Sequence, residues 1–422
     1  MESTPMRRVA AASAIGTILE WYDFALYNAM SGLVFNKIFF PSFSPLVGTL
    51  LAFLTYGVGM VARPVGGIIC GRLGDVIGRR PMLIATVSTM GTTTALIGLL
   101  PSYAQIGIAA PVLLVVLRFV QGIMLGGEWA GSVLLSVEHG SATRRGLNAS
   151  WTQCGTPGGT LLATAALAVT TSLTTNADFI AWAWRIPFLA SLVLIAYGVW
   201  LRARVAETPQ FRTLKEKDET AKAPVTEVLR SHWRRVLMGC TIKFGPDAVG
   251  ALMFVFTLTY MTQVAMVERS LALSAVSIGS AANLVTIPLF GSLSDRFGRR
   301  AIYLLGIAFA LVYTFVLFHL LDTGSPAVVI LAVVIGLVIH ASLWATQASF
   351  ITELFPTRLR YTGSSLSYSL AGILAAGTPA ALVGLQGHFR ASWAPASYVV
   401  FLLLVTAAAV LFGSTKPAAD EI

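Results

Sequence analysis

Gly71-Arg72-Leu73-Gly74-Asp75-Val76-Ile77-Gly78-Arg79-Arg80 returns as Gly291-Ser292-Leu293-Ser294-Asp295-Arg296-Phe297-Gly298-Arg299-Arg300, an offset of 220 (291 − 71). A second echo, Gly155-Thr156-Pro157 with Gly377-Thr378-Pro379, falls at nearly the same offset, 222 (377 − 155). Two independent matches at nearly one offset indicate duplication of a six-helix unit. In each motif the glycines let helix ends approach closely, the Asp can sit against a neighbouring helix N-terminus or an Arg, and the Arg pair can anchor at an anionic membrane surface. Gly71, Asp75, Arg79 and Arg80, with Gly291, Asp295, Arg299 and Arg300, are therefore candidates for a conformational latch. A plain basic loop that only sets topology has no reason to keep this spacing twice.

Around the motifs the chain is 56% hydrophobic and 11% charged over 422 residues, with a mean hydropathy of +0.76. Soluble domains carry about 25% charge, so lipid is its main solvent. Stretches near the roughly 20 apolar residues that cross a bilayer lie at 10–35, 46–70, 83–101, 107–136, 150–173, 183–203, 236–260, 271–293, 301–320, 325–350, 361–385 and 394–413. That predicts twelve spans. The first reads as a retained helix, because Glu20 and Asp23 interrupt it and no small-residue cleavage site follows. The only long polar stretch runs from Arg202 to Arg235 and contains Pro209 and Pro224. The expected organisation is a first bundle over 1–203, a cytoplasmic linker over 204–235 and a second bundle with a short tail over 236–422.

The net charge of +10 follows a side preference. Arg7, Arg8, Arg72, Arg79, Arg80, Arg144, Arg145, the cluster from Arg202 to Arg235, Arg296, Arg299, Arg300, Arg358, Arg360 and Lys416 fall on one side; Lys37, Arg269 and Arg390 fall on the other. Positive charge favours the cytoplasm, so both termini are expected there and the basicity requires no nucleic-acid partner. Cys70, Cys154 and Cys240 lie in apolar spans without CxxC spacing, which points to packing rather than to a metal site or disulfide framework.

The duplicated loop resembles the signature of the major facilitator superfamily, except that Val76 stands in the first copy where an Arg is usual. More narrowly, the chain resembles the metabolite:proton symporters, the group of shikimate, α-ketoglutarate, citrate and proline/betaine permeases. This rests on Glu20-Trp21-Tyr22-Asp23-Phe24, Arg63-Pro64-x-Gly66-Gly67, Arg118-x-x-Gln121-Gly122-x-x-x-Gly126-Gly127-Glu128-Trp129, Trp184-Arg185-Ile186-Pro187-Phe188 and Glu207-Thr208-Pro209-x-Phe211. The texture is nearest to shikimate-type permeases, through Val34-Phe35-Asn36, Leu134-Leu135-Ser136-Val137-Glu138 and His340. The resemblance implies an all-α membrane protein of the major facilitator fold, with 12 transmembrane helices in two pseudo-symmetric six-helix bundles around a central cavity. Spans one, four, seven and ten would line that cavity.

An ionisable side chain at membrane depth costs at least about 2.5 kcal/mol and normally faces a bundle interior or water. Glu20 and Asp23 lie in span one, Arg118 and Glu128 in span four, Lys243 and Asp247 in span seven and His340 in span ten. Only Arg63, in span two, falls outside the cavity set, near enough to the cytoplasmic end to snorkel. Helical spacing groups Glu20, Asp23 and Tyr27; Arg118, Gln121, Gly122 and Leu125; Lys243 and Asp247; and His340, Trp344 and Gln347. A carboxyl takes up protons readily when desolvated and gives them up beside a cation. Asp23 and Glu128 are the leading proton-coupling candidates, with Glu20 and Asp247 behind them. Arg118, Gln121, Tyr27, Lys243, His340, Trp344 and Gln347 are the substrate-binding candidates. Gly245-Pro246 removes a backbone donor and invites a local break in span seven.

No cofactor or metal is expected. The partners expected are a small organic solute, protons and the lipid bilayer, with a monomer in the bacterial inner membrane. The cations favour a carboxylate or zwitterion, and the aromatics suit a cyclic acid. A proton-coupled efflux antiporter is the main competitor, through Gly155-Thr156-Pro157-Gly158-Gly159, although the echo in span eleven suits close packing in both halves better. The chain lacks GxxxxGK[ST] and HExxH, which argues against an enzyme. Its linker and tail are too short for a soluble signalling domain.

Overall fold

The computed structural model describes residues 5–413, so Lys416 and the two chain termini lie outside the described residues. Within them the chain is helical and contains no strand. The long helices are α1 (Met6–Met30), α2 (Pro45–Val76), α3 (Arg79–Leu99), α4 (Ala109–His139), α5 (Arg145–Gln153 resuming as Gly155–Ser172), α6 (Arg185–Ala203), α7 (Trp233–Gln263), α8 (Arg269–Phe297), α9 (Arg299–Leu321), α10 (Pro326–Glu353), α11 (Thr357–Phe389) and α12 (Trp393–Phe412). Two short helices, Pro209–Glu216 and Pro224–Ser231, occupy the stretch between α6 and α7, each with proline near its start, where no helical N–H is required.

Ten of these helices are long and apolar enough to cross a bilayer on length and composition alone. The exceptions are α1 and α5, and packing explains both. A Cβ added to Gly155 would meet Thr17 Cβ at 2.4 Å, and one added to Gly159 would meet Ile18 O at 2.4 Å, so α5 presses its backbone onto α1. Helix pairs this close need small residues, which lowers hydropathy without removing the span. In α1, Glu20 and Asp23 have the same effect, and both are buried. Large apolar side chains such as Phe309, Val312 and Phe401 are exposed on the outer surface, where lipid would contact them.

The two halves share their irregularities. Each loop motif turns on a glycine with positive φ, Gly78 at 121° and Gly298 at 90°, a conformation that disfavours any Cβ. Helix α5 breaks at Cys154 and α11 at Gly377, each beside its Gly-Thr-Pro element. Helices α2 and α4 touch backbone to backbone: a Cβ on Gly126 would lie 2.1 Å from Arg63 O, and one on Gly66 would lie 1.8 Å from Ile123 O. That contact fixes the depth at which Arg63 enters the interior.

Candidate functional site

The two loop motifs lie on the same face, here called the basic face, and each grips the opposite half. Asp75, at the end of α2, accepts hydrogen bonds from the amides of Thr362 (2.9 Å) and Tyr361 (3.3 Å) in the first turns of α11. Asp295, at the end of α8, accepts from Gly146 (2.7 Å) and Leu147 (2.9 Å) at the start of α5. Each carboxylate therefore satisfies amides that a helix N-terminus leaves without partners and meets the positive end of the helix dipole. The motif glycines permit the approach, since a Cβ on Gly71 would lie 2.8 Å from Thr362 Cα, and one on Gly291 would lie 2.7 Å from Ser150 Cβ.

Arg79 serves the protein rather than the headgroups, contrary to the sequence expectation. Arg79 is fully buried; it donates to Thr357 O (3.0 Å) and Gly74 O (3.1 Å), pairs with Asp75 (3.3 Å) and Glu138 (3.6 Å), and lies over the Phe211 ring. Arg80 donates to Ala203 O at 2.6 Å, and its counterpart Arg300 donates to Leu411 O at 2.9 Å. Arg299 reaches Glu353 at 2.8 Å and Asp295 at 3.5 Å. Glu138 and Glu207, quoted above only for the resemblance, and Glu353 were not among the candidate site residues; Glu207 accepts from the Arg79 and Arg80 amides at 3.2 and 3.1 Å. The available signal was an acid near the basic-face end of both α4 and α10.

Deeper in the first half, Asp23 of α1 meets Arg118 and Gln121 of α4. Arg118 donates to Asp23 at 2.6 Å and to Gln121 at 2.8 Å; Thr94 donates to Asp23 at 3.0 Å and accepts from Gln121 at 2.7 Å. The Arg118 guanidinium lies 3.3 Å from the centroid of Tyr27, whose hydroxyl bonds Thr55. Although Arg118 is only 2% exposed, its Nε and Nη2 make no hydrogen bond among the described residues. The network thus pairs its one carboxylate but leaves donor capacity on its cation.

Glu20 leaves the Asp23 group and pairs with Arg63, which also lies over Phe24. Arg63 is 5% exposed and does not snorkel, correcting the sequence expectation. Lys243 and Asp247 pair across one turn of α7, and the Lys243 ammonium sits 4.3 Å from the centroid of Tyr368 on α11. Tyr368 stacks on Trp129 of α4 at 3.8 Å, joining the halves.

Glu128 stands apart from these groups. It pairs with Arg202, which also donates to Ala12 O (3.1 Å), Leu83 O (2.6 Å) and Ser132 (2.9 Å), while Thr86 and Ser132 donate to the carboxylate. Arg202, placed by its position in the sequence at the head of the polar stretch, is in fact 1% exposed. The pair is saturated with hydrogen bonds and binds α4 to α1, α3 and α6.

On α10, His340 stacks on Trp344 at 5.3 Å, and Trp344 meets Trp21 of α1 edge to face at 6.3 Å. The indole nitrogens of both tryptophans and both amide atoms of Gln347 are buried without a hydrogen-bond partner among the described residues. Buried polar groups are normally satisfied, and orphans gathered at the junction of two halves fit a polar ligand.

Comparison with known proteins agrees with this architecture. A family profile described as Major Facilitator Superfamily matches residues 13–379 and 248–421. The chain is 38% identical over 401 residues to the "Shikimate transporter" of Escherichia coli (strain K12), covering 94% of this chain and 91% of that protein. It is 36% identical over 383 residues to the "Inner membrane metabolite transport protein YhjE" of the same organism, covering 89% and 87%. Among solved structures, the proton:xylose symporter XylE bound to 6-bromo-6-deoxy-D-glucose superposes with a TM-score of 0.76 at 17% identity, over 98% of this chain and 97% of that one.

Proposed function

The chain belongs to the major facilitator superfamily, and from that membership we propose that it imports a small organic acid or zwitterion, shikimate-like in character, coupled to protons by alternating access. It is a transporter and not an enzyme. Its membrane is the bacterial inner membrane, its basic face and termini are cytoplasmic, and one chain is the working unit.

The observation that carries the substrate class is the set of unpartnered groups of Trp21, Trp344 and Gln347 together with the unfilled donors of Arg118. A ring bearing a carboxylate and hydroxyls would offer acceptors to the guanidinium and indoles, and apolar faces to the aromatics. The relatives named for shikimate and metabolite transport support the same class.

Proton coupling rests with Asp23. Its carboxylate is held by Arg118 and Thr94, so a substrate anion that draws on the same guanidinium loosens that hold and links the two ligands through one cation. Glu128 is assigned to structure instead, because its oxygens and its cation are already saturated. The test is uptake of labelled shikimate, related carboxylates and betaine into proteoliposomes with an imposed proton gradient. A protonophore is expected to abolish accumulation, and Asp23→Asn to abolish it while leaving substrate exchange. Gradient-driven accumulation unchanged in Asp23→Asn would refute the coupling role, and accumulation enhanced by the protonophore would indicate export.

A further inference from the structure

Helix α7 does not close its own hydrogen-bond ladder at the level of Lys243. Pro246 has no N–H, so the carbonyl of Ile242, four residues earlier, loses its helical donor. The buried Tyr303 hydroxyl of α9 donates to that carbonyl instead. One rung earlier, the Gly245 amide donates to Thr406 Oγ1 of α12 at 2.9 Å, and the same hydroxyl donates to Thr241 O at 2.8 Å. Thr241 O is the ordinary helical acceptor of the Gly245 amide, so a side chain from α12 bridges the two ends of one rung. Consecutive rungs are thus completed by hydroxyls from two other helices, and side chains inserted into a ladder are a recognised cause of bending.

The opened rungs flank Lys243, and its partner Asp247 follows immediately after Pro246. Thr406 is fully buried on the side of α7 where α12 packs, while Lys243 points to Tyr368 of α11. In α1, the residue 220 positions before Lys243 is Asp23, and no proline lies in that helix. The opening therefore distinguishes the second half from the first.

We propose that Thr406 and Tyr303 are positioning residues for the Lys243–Asp247 pair. By completing these two rungs from α9 and α12 they set the rotation of residues 243–247 that aims the ammonium at the junction between the halves. For transport the proposal rests on the reading of Lys243 as a substrate contact; the orientation itself does not depend on it. Without the Thr406 hydroxyl, the Gly245 amide and Thr241 carbonyl are left in an apolar interior and pair directly, which turns this segment of α7.

Two readouts test this. In a chain carrying Lys243→Cys with the three native cysteines replaced, modification by a methanethiosulfonate reagent reports the orientation of position 243 whatever the substrate. Thr406→Val and Tyr303→Phe are each expected to change that rate on the order of tenfold, the factor attached to one hydrogen bond, while Thr406→Ser retains the parent rate. In the otherwise native chain, Thr406→Val is expected to raise KM for the transported acid with Vmax and folded yield preserved, and Thr406→Ser to restore it. Labelling unchanged in both hydroxyl-deleting variants overturns the proposal. Labelling that changes while Lys243→Gln transports with native KM upholds the positioning and removes Lys243 from the substrate site.

Discussion

The ion pairs of the interior divide at the level of single residues by how completely they are satisfied. Glu128 and Arg202 fill each other and borrow carbonyls and hydroxyls from neighbouring helices, so removing one partner strands a buried charge, at a cost of about 3–5 kcal/mol. Arg202→Met is expected to lower the thermal midpoint and folded yield sharply in detergent, and the double variant Arg202→Met/Glu128→Gln to recover much of the loss. A double variant no better than the single would show that packing, not charge, carries the effect. The charges themselves were legible in the sequence, since each interrupts an apolar run. Their partners were not, because Arg63 and Arg202 come from other helices and nothing in linear spacing brings them to Glu20 and Glu128. The grouping of Asp23 with Arg118 and Gln121 could be anticipated only in part: the i,i+3 spacing within α4 was visible, but Thr94 on α3 was not.

Among whole elements, the α2–α4 contact shows why glycine content matters more than apolarity. Gly126→Ala would drive a methyl to 2.1 Å from Arg63 O and 2.4 Å from Gly67 N, both backbone atoms, so one helix must move. Gly384, in the outer segment of α11, has nothing within 4 Å of its missing Cβ. Gly126→Ala is expected to reduce stability and transport, whereas Gly384→Ala is neutral or stabilising by up to about 1 kcal/mol through helix propensity. Thermal unfolding of the two purified variants makes the comparison, and equal midpoints would contradict the close approach. The same packing explains what hydropathy could not decide: α5 is poor in large apolar side chains because its neighbour is α1 rather than lipid alone. The twelve spans were readable from the sequence, but the internal breaks at Cys154 and Gly377 appeared there only as a repeated Gly-Thr-Pro, and the bridging of α7 by α12 not at all.

For the whole molecule, the duplicated motif was the most legible feature, and its geometry is reciprocal. Asp75 belongs to the first half and holds α11; Asp295 belongs to the second and holds α5. Asp75→Asn and Asp295→Asn are each expected to increase labelling of a cysteine placed at the base of the central interior, and the double variant to increase it by about the product of the two. A charge at a helix end is worth about 0.3–1 kcal/mol, so each factor is about two to five. One single variant matching the double would mean that only one latch closes the face. Duplication therefore has a consequence for leakiness. The contacts are made by different carboxylates on different helices, so under the proposed alternating access an error that frees one leaves the other still holding, and a proton leak is expected to be largest when both fail together. On that reading, doubling the motif supplies a redundant seal, in which the chance of accidental short-circuit falls as the product of two small probabilities.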